Sequence, residues 1–161
     1  MDRETFVARF GGVFEHSPWI AEAAFDAGLP QPPWTPEGLH AAMVVAMRAG
    51  SAARQRALIA AHPDLAGRLA QAGRLTAAST QEQASAGLDM LTDAERERFT
   101  ELNERYKAKF GLPFIMAVKG RSKEEILAAF EVRLENDAEA EFQTALEQIE
   151  KIALLRLKEM L

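Results

Sequence analysis

Pro113-Phe114-Ile115-Met116-Ala117-Val118 is the one run of this chain that reads like a β-strand. How it is read decides the fold class. A single short strand has nothing to pair with, and no other stretch alternates apolar and polar residues between turn signals. The run is therefore expected to be an extended, partly buried connector in an otherwise helical protein. Its backbone N–H and C=O groups still need partners. Those partners are either a bound ligand or ordinary tertiary hydrogen bonds.

Helix signals lie on both sides of this run. Upstream, Thr92-Asp93-Ala94-Glu95 is a capping box that opens a charged helix to Phe110, closed by Gly111. Downstream, Ser122-Lys123-Glu124-Glu125 is a second capping box, ahead of Ile126, Leu127 and Phe130. A last helix runs from about Ala138 to the C-terminus. Further towards the N-terminus, Ser17-Pro18 and Thr35-Pro36 each read as an N-cap followed by a first helical proline. Gly28 to Pro33 is a loop, and Gly50-Ser51 breaks the helix that contains Met43 and Met47. The next helix passes through Leu58 and stops at His62-Pro63, because the residue before proline disfavours the α region. Pro63 opens a short helix through Leu69 that ends at Gly73, and Ser79 to Met90 forms another. The expectation is an all-α fold of roughly seven to nine helices, with residues 1–161 as a single domain.

Composition narrows the function. The chain has 161 residues, enough for one domain with a real core. It has no cysteine, which excludes disulfides, thiolate metal sites and a cysteine nucleophile. The net charge of −5 and the lack of a basic stripe argue against a nucleic-acid partner. No apolar run is long enough to span a bilayer, and Met1-Asp2-Arg3-Glu4 does not open a signal peptide. An intracellular protein is expected. His16, His40 and His62 are too far apart for a local metal motif, and no Walker loop, G-x-G-x-x-G or G-x-S-x-G occurs. No metal site is expected.

Three positions can carry chemistry. His62 stands directly before Pro63, at an apparent helix start. It is either an ordinary N-cap or an acid–base group beside an anion held by the helix N-terminus. Glu82 closes a capping box, Ser79-Thr80-Gln81-Glu82, and Gln83 and Ser85 follow it. This helix start is either simply capped or surrounds a polar ligand. Arg156 lies in the apolar stripe of the last helix, with Phe142, Leu146, Ile149, Ala153 and Met160, and with Ile152 and Leu157 widening it. A guanidinium there either snorkels to the edge or pairs with an anion.

The combination of motifs resembles one family. His62-Pro63-Asp64-Leu65-Ala66-Gly67 and Ser79-x-x-Glu82-Gln83-x-x-Ala86-Gly87-Leu88 carry the resemblance. So do Leu102-Asn103-x-x-Tyr106-x-x-Lys109-Phe110-Gly111-x-Pro113-Phe114, Arg133-Leu134-x-Asn136 and Ile152-x-x-Leu155-Arg156. They are similar to the decarboxylases of 2-oxo-4-hydroxy-4-carboxy-5-ureidoimidazoline (OHCU), an intermediate of urate breakdown. The resemblance covers nearly the whole chain. It implies an all-helical, cofactor-free and usually homodimeric enzyme that forms (S)-allantoin and carbon dioxide. It also implies catalytic roles for His62, Glu82 and Arg156. Substrate contacts are implied for Pro63, Ser79, Thr80, Gln81 and Gln83, and for Phe114, Ile115, Met116, Ala117 and Val118. The chain ends Glu159-Met160-Leu161 rather than in a peroxisomal tripeptide, so a cytoplasmic location is expected. Two alternatives stand beside this reading. One is a non-catalytic helical interaction module, in which His62, Glu82 and Arg156 are separate or independently exposed. The other is a hydrolase of a related ureide, which would need an activated water.

Overall fold

The computed structural model describes residues 1–62 and 92–161, and every regular element among them is a helix. There are seven: α1 (Arg3–Phe10), α2 (Trp19–Ala27), α3 (Pro36–Ala49), α4 (Ala52–Ala61), α5 (Asp93–Phe110), α6 (Lys123–Leu134) and α7 (Ala138–Met160). The all-α expectation holds. The two helices expected between Pro63 and Met90 lie outside the described residues. The chain divides into two compact units. Met1–Ala61 with Ile149–Leu161 form the first, and His62–Gln148 form the second.

Local sequence sets most helix ends. Thr35 Oγ1 accepts the Gly38 N–H at 3.0 Å, with Pro36 next in line, so α3 starts where the Thr-Pro signal expects. Both capping boxes form as expected, Thr92 with Glu95 and Ser122 with Glu125. Gly111 ends α5 in the left-handed region, at φ 65°, where an L side chain is strained. Ser17 departs from expectation. It does not cap α2 with its side chain. Its hydroxyl donates to the Glu15 carbonyl at 2.9 Å instead, and Pro18 takes the N-cap position. α1 carries no strong sequence signal beyond Asp2, which accepts the Thr5 N–H at 2.8 Å.

Packing explains α1. In the first unit Phe6 and Phe10 are fully buried. Phe6 meets the Phe25 ring at 5.7 Å and the Trp34 ring edge-on at 5.6 Å. The Trp34 indole N–H donates to the Pro30 carbonyl at 2.8 Å. Gly50 lies against Trp19 so closely that a Cβ would come within 2.7 Å of the indole, so a glycine is required for space rather than conformation. His40 Nε2 bonds the Glu150 carbonyl at 2.8 Å, and Arg48 pairs with the Glu150 carboxylate at 2.6 Å. These contacts tie α3 to the last part of α7.

The second unit is built around aromatic residues. Phe99, Tyr106, Phe114 and Phe130 are buried. Phe114 stacks on Phe130 with 17° between the ring planes, and Tyr106 meets Phe114 edge-on at 5.3 Å. Truncating such a ring to alanine costs about 3–5 kcal/mol. Lys123, in the first turn of α6, pairs with Glu95 at 2.8 Å, which links the two capping boxes to each other.

Candidate active site

Arg156 sits where the apolar stripe of α7 places it. Leu146, Ile149, Ala153 and Leu157 around it are buried, and only 6% of Arg156 is exposed. The alternatives left open by the sequence resolve towards pairing. Its Nη2 lies 3.5 Å from Glu15 Oε1, and its Nη1 donates to the Val13 carbonyl at 3.1 Å. Glu15 is itself buried, in the short connection between α1 and α2. A planar guanidinium held by both terminal nitrogens has a fixed orientation. Sequence reasoning missed Glu15. Its one visible signal was an acidic residue among apolar neighbours, Val13 and Phe14, just before the Ser17-Pro18 helix start.

His62 is also buried, immediately beyond the end of α4. The stop of α4 at Ala61 agrees with the effect of Pro63 on the residue before it. Pro63, Ser79, Thr80, Gln81, Glu82 and Gln83 lie outside the described residues.

The run Phe114–Val118 belongs to no helix or strand. Phe114, Ile115 and Val118 are buried, while Met116 and Ala117 are half-buried. Three of its backbone groups go to the protein itself. The Ile115 carbonyl accepts from Arg133 Nη1 at 2.5 Å, and the Ala117 N–H donates to Gln148 Oε1 at 3.0 Å. The Val118 carbonyl accepts the Arg121 N–H at 2.9 Å in a turn. For these three groups, tertiary hydrogen bonding answers the question that the sequence left open.

Arg133 belongs to a buried polar cluster. Its Nε and Nη2 both reach Glu141 Oε1 at 2.8 Å. The same oxygen accepts the Tyr106 hydroxyl at 2.5 Å, and Asn136 donates to the other carboxylate oxygen at 2.9 Å. Glu141 is fully buried. Burial, and then the bond to Glu141, push the Tyr106 hydroxyl well above its ordinary pKa, so it stays protonated and a donor. Tyr106, Arg133 and Asn136 appear in the sequence motifs, but Glu141 gave no signal of its own.

Among the described residues, no group of three or more His, Asp or Glu side chains is placed to hold a metal ion, and no helix is long and apolar enough to cross a membrane.

One unit buries a histidine, which can exchange protons, and the other an arginine–glutamate pair, whose cation can meet an anion. Comparison with known proteins makes this specific. The family model for OHCU decarboxylase matches residues 1–158. A 2-oxo-4-hydroxy-4-carboxy-5-ureidoimidazoline decarboxylase of Haloferax volcanii is 43% identical over 99% of this chain and 90% of its own. The crystal structure of an (S)-allantoin synthase is 34% identical with a TM-score of 0.76, covering 98% of this chain and half of that one. A structure of OHCU decarboxylase in the presence of (S)-allantoin shares the fold, with a TM-score of 0.69 at 22% identity over 99% of this chain and 98% of that one. The chain belongs to the OHCU decarboxylase family.

Proposed function

We propose that this protein is a cofactor-independent carboxy-lyase of urate breakdown, with the whole of residues 1–161 acting as one catalytic domain. It converts 2-oxo-4-hydroxy-4-carboxy-5-ureidoimidazoline to (S)-allantoin and carbon dioxide. The observation that carries this reading is the family match over residues 1–158. The burial of both His62 and Arg156 supports it against an interaction module in which they are independently exposed.

The substrate's own chemistry explains why side chains suffice. Loss of carbon dioxide from C4 leaves an electron pair on that carbon, and the adjacent ring C=N system delocalises it. The protein has to bind the carboxylate and ureido groups, align the breaking C–C bond with the ring π system, and deliver a proton to one face. His62 is the general acid–base group, acting on the C4 hydroxyl or returning the proton. Glu82 holds that hydroxyl or orients the imidazole. Arg156 binds an anionic or carbonyl edge of the substrate through its fork. The Phe114–Val118 backbone supplies directional hydrogen bonds to the ureido group, and Pro63, Ser79, Thr80, Gln81 and Gln83 line the site. A homodimer in the cytoplasm completes the reading, supported by the metabolic character of the relatives and checked by light scattering and cell fractionation.

The deciding experiment is chiral analysis of allantoin formed from freshly made OHCU. Spontaneous decay protonates both faces of the planar species and gives a racemate. The enzyme gives the S form in excess. Racemic product in the presence of the protein rejects the assignment.

A further inference from the structure

Arg133 makes more directed contacts than core packing requires. Nε and Nη2 converge on one oxygen of Glu141, Nη1 donates to the Ile115 carbonyl, and the guanidinium lies 4.2 Å from the centre of the Phe114 ring. Glu141 is locked in turn by Tyr106 and Asn136. A buried ion pair often adds no more stability than apolar residues of the same volume, so packing alone does not account for it. What a planar fork adds is direction. With two nitrogens fixed on Glu141, the guanidinium plane is set, and so are the directions in which the third nitrogen, Nη1, can donate.

That direction falls on the backbone proposed to hold the substrate. Two residues further on, Gln148 of α7 takes the Ala117 N–H. In an extended run, the polar groups of residues i and i+2 leave the backbone on one side, and those of residue i+1 leave on the other. Arg133 and Gln148 hold the Ile115 carbonyl and the Ala117 N–H, the pair that such a run sends to one side. Among the described residues, the N–H and C=O of Met116, which lies between these two in the chain, take no protein hydrogen bond.

We propose that Arg133 is a positioning residue for the decarboxylation: clamped by Glu141, it fixes the Ile115 carbonyl and thereby aims the Met116 backbone at the substrate. The inference rests on the reading of Phe114–Val118 as substrate-binding backbone. Those backbone bonds form with the ground state as well as the transition state, so loosening them acts mainly on KM.

The test is Arg133→Lys, with steady-state kinetics on fresh OHCU beside a melting curve. Lysine keeps the charge beside Glu141 but cannot reach both Glu141 and Ile115 in fixed directions. The expected result is a cooperative melt, KM raised about tenfold and kcat within about threefold of wild type. Glu141→Gln should shift KM in the same direction. If Arg133→Lys gives no cooperative melt, the double variant Arg133→Gln with Glu141→Gln removes both charges together and carries the same measurement. A folded variant with wild-type KM overturns the inference, whatever happens to kcat, and leaves the decarboxylase reading standing. A wild-type protein without turnover overturns both.

Discussion

Arg156 and Glu15 form a buried ion pair, Nη2 to Oε1 at 3.5 Å, with 6% and 1% of their side chains exposed. The arginine proposed to meet the substrate is thus already held by an internal carboxylate. Its position is set before any ligand arrives, which is the condition for orientation to help catalysis.

Glu15→Gln tests the hold on the arginine. Removing one partner of a buried pair leaves the other charge uncompensated, so unfolding free energy from urea titration should fall by about 3 kcal/mol. Turnover should fall as well, through a misaimed guanidinium. Arg156→Lys should restore only part of the binding lost in Arg156→Ala, because an ammonium lacks the planar fork. Unchanged kcat/KM in Arg156→Ala would remove the arginine from the site.

His62→Asn addresses acid–base chemistry. Asparagine keeps a polar side chain of similar size, so the melting curve should stay cooperative. Turnover should drop by about two to four orders of magnitude, and the excess of (S)-allantoin should disappear with it. Full activity in this variant would keep the family assignment and exclude His62 from the mechanism.

Glu82→Gln separates a cap from a catalyst. Glutamine also serves in a capping box, so stability should change little. Loss of the carboxylate should lower kcat by about two to four orders of magnitude. Near-normal turnover at normal stability would leave Glu82 a structural role alone.

Glu95 predicts a pH dependence of stability. Its hydrogen bond from Lys123, followed by that from the Thr92 backbone, holds its carboxyl below the ordinary pKa. A folded pKa below the unfolded one means a contribution fully present above the unfolded value and lost as pH falls through the folded one. At neutral pH, Glu95→Gln should therefore melt below wild type, although its capping box survives. The gap should close on the acid side of the ordinary carboxylate range. A gap independent of pH would show that the charge contributes nothing.

Much of the fold was legible because helix ends are local. Thr92 with Glu95, Ser122 with Glu125, Thr35 with Pro36, and Gly111 act through groups no more than four residues apart, and the sequence displays such groups close together. The apolar stripe of α7 was legible for the same reason, since helical periodicity alone places Arg156 among buried neighbours. α1 was not legible: its rings are held by Phe25 and Trp34, which no local pattern connects to Phe6. The partners of the buried charges were equally hidden. Glu15 for Arg156, and Glu141 for Arg133, are chosen by where the folded chain brings elements together. The same holds for the Phe114–Val118 run, whose isolation the sequence determined but whose hydrogen-bond partners, Arg133 and Gln148, only the tertiary structure decided. A buried polar group has to be satisfied. Which group satisfies it depends on packing across distant segments, and no local pattern encodes that.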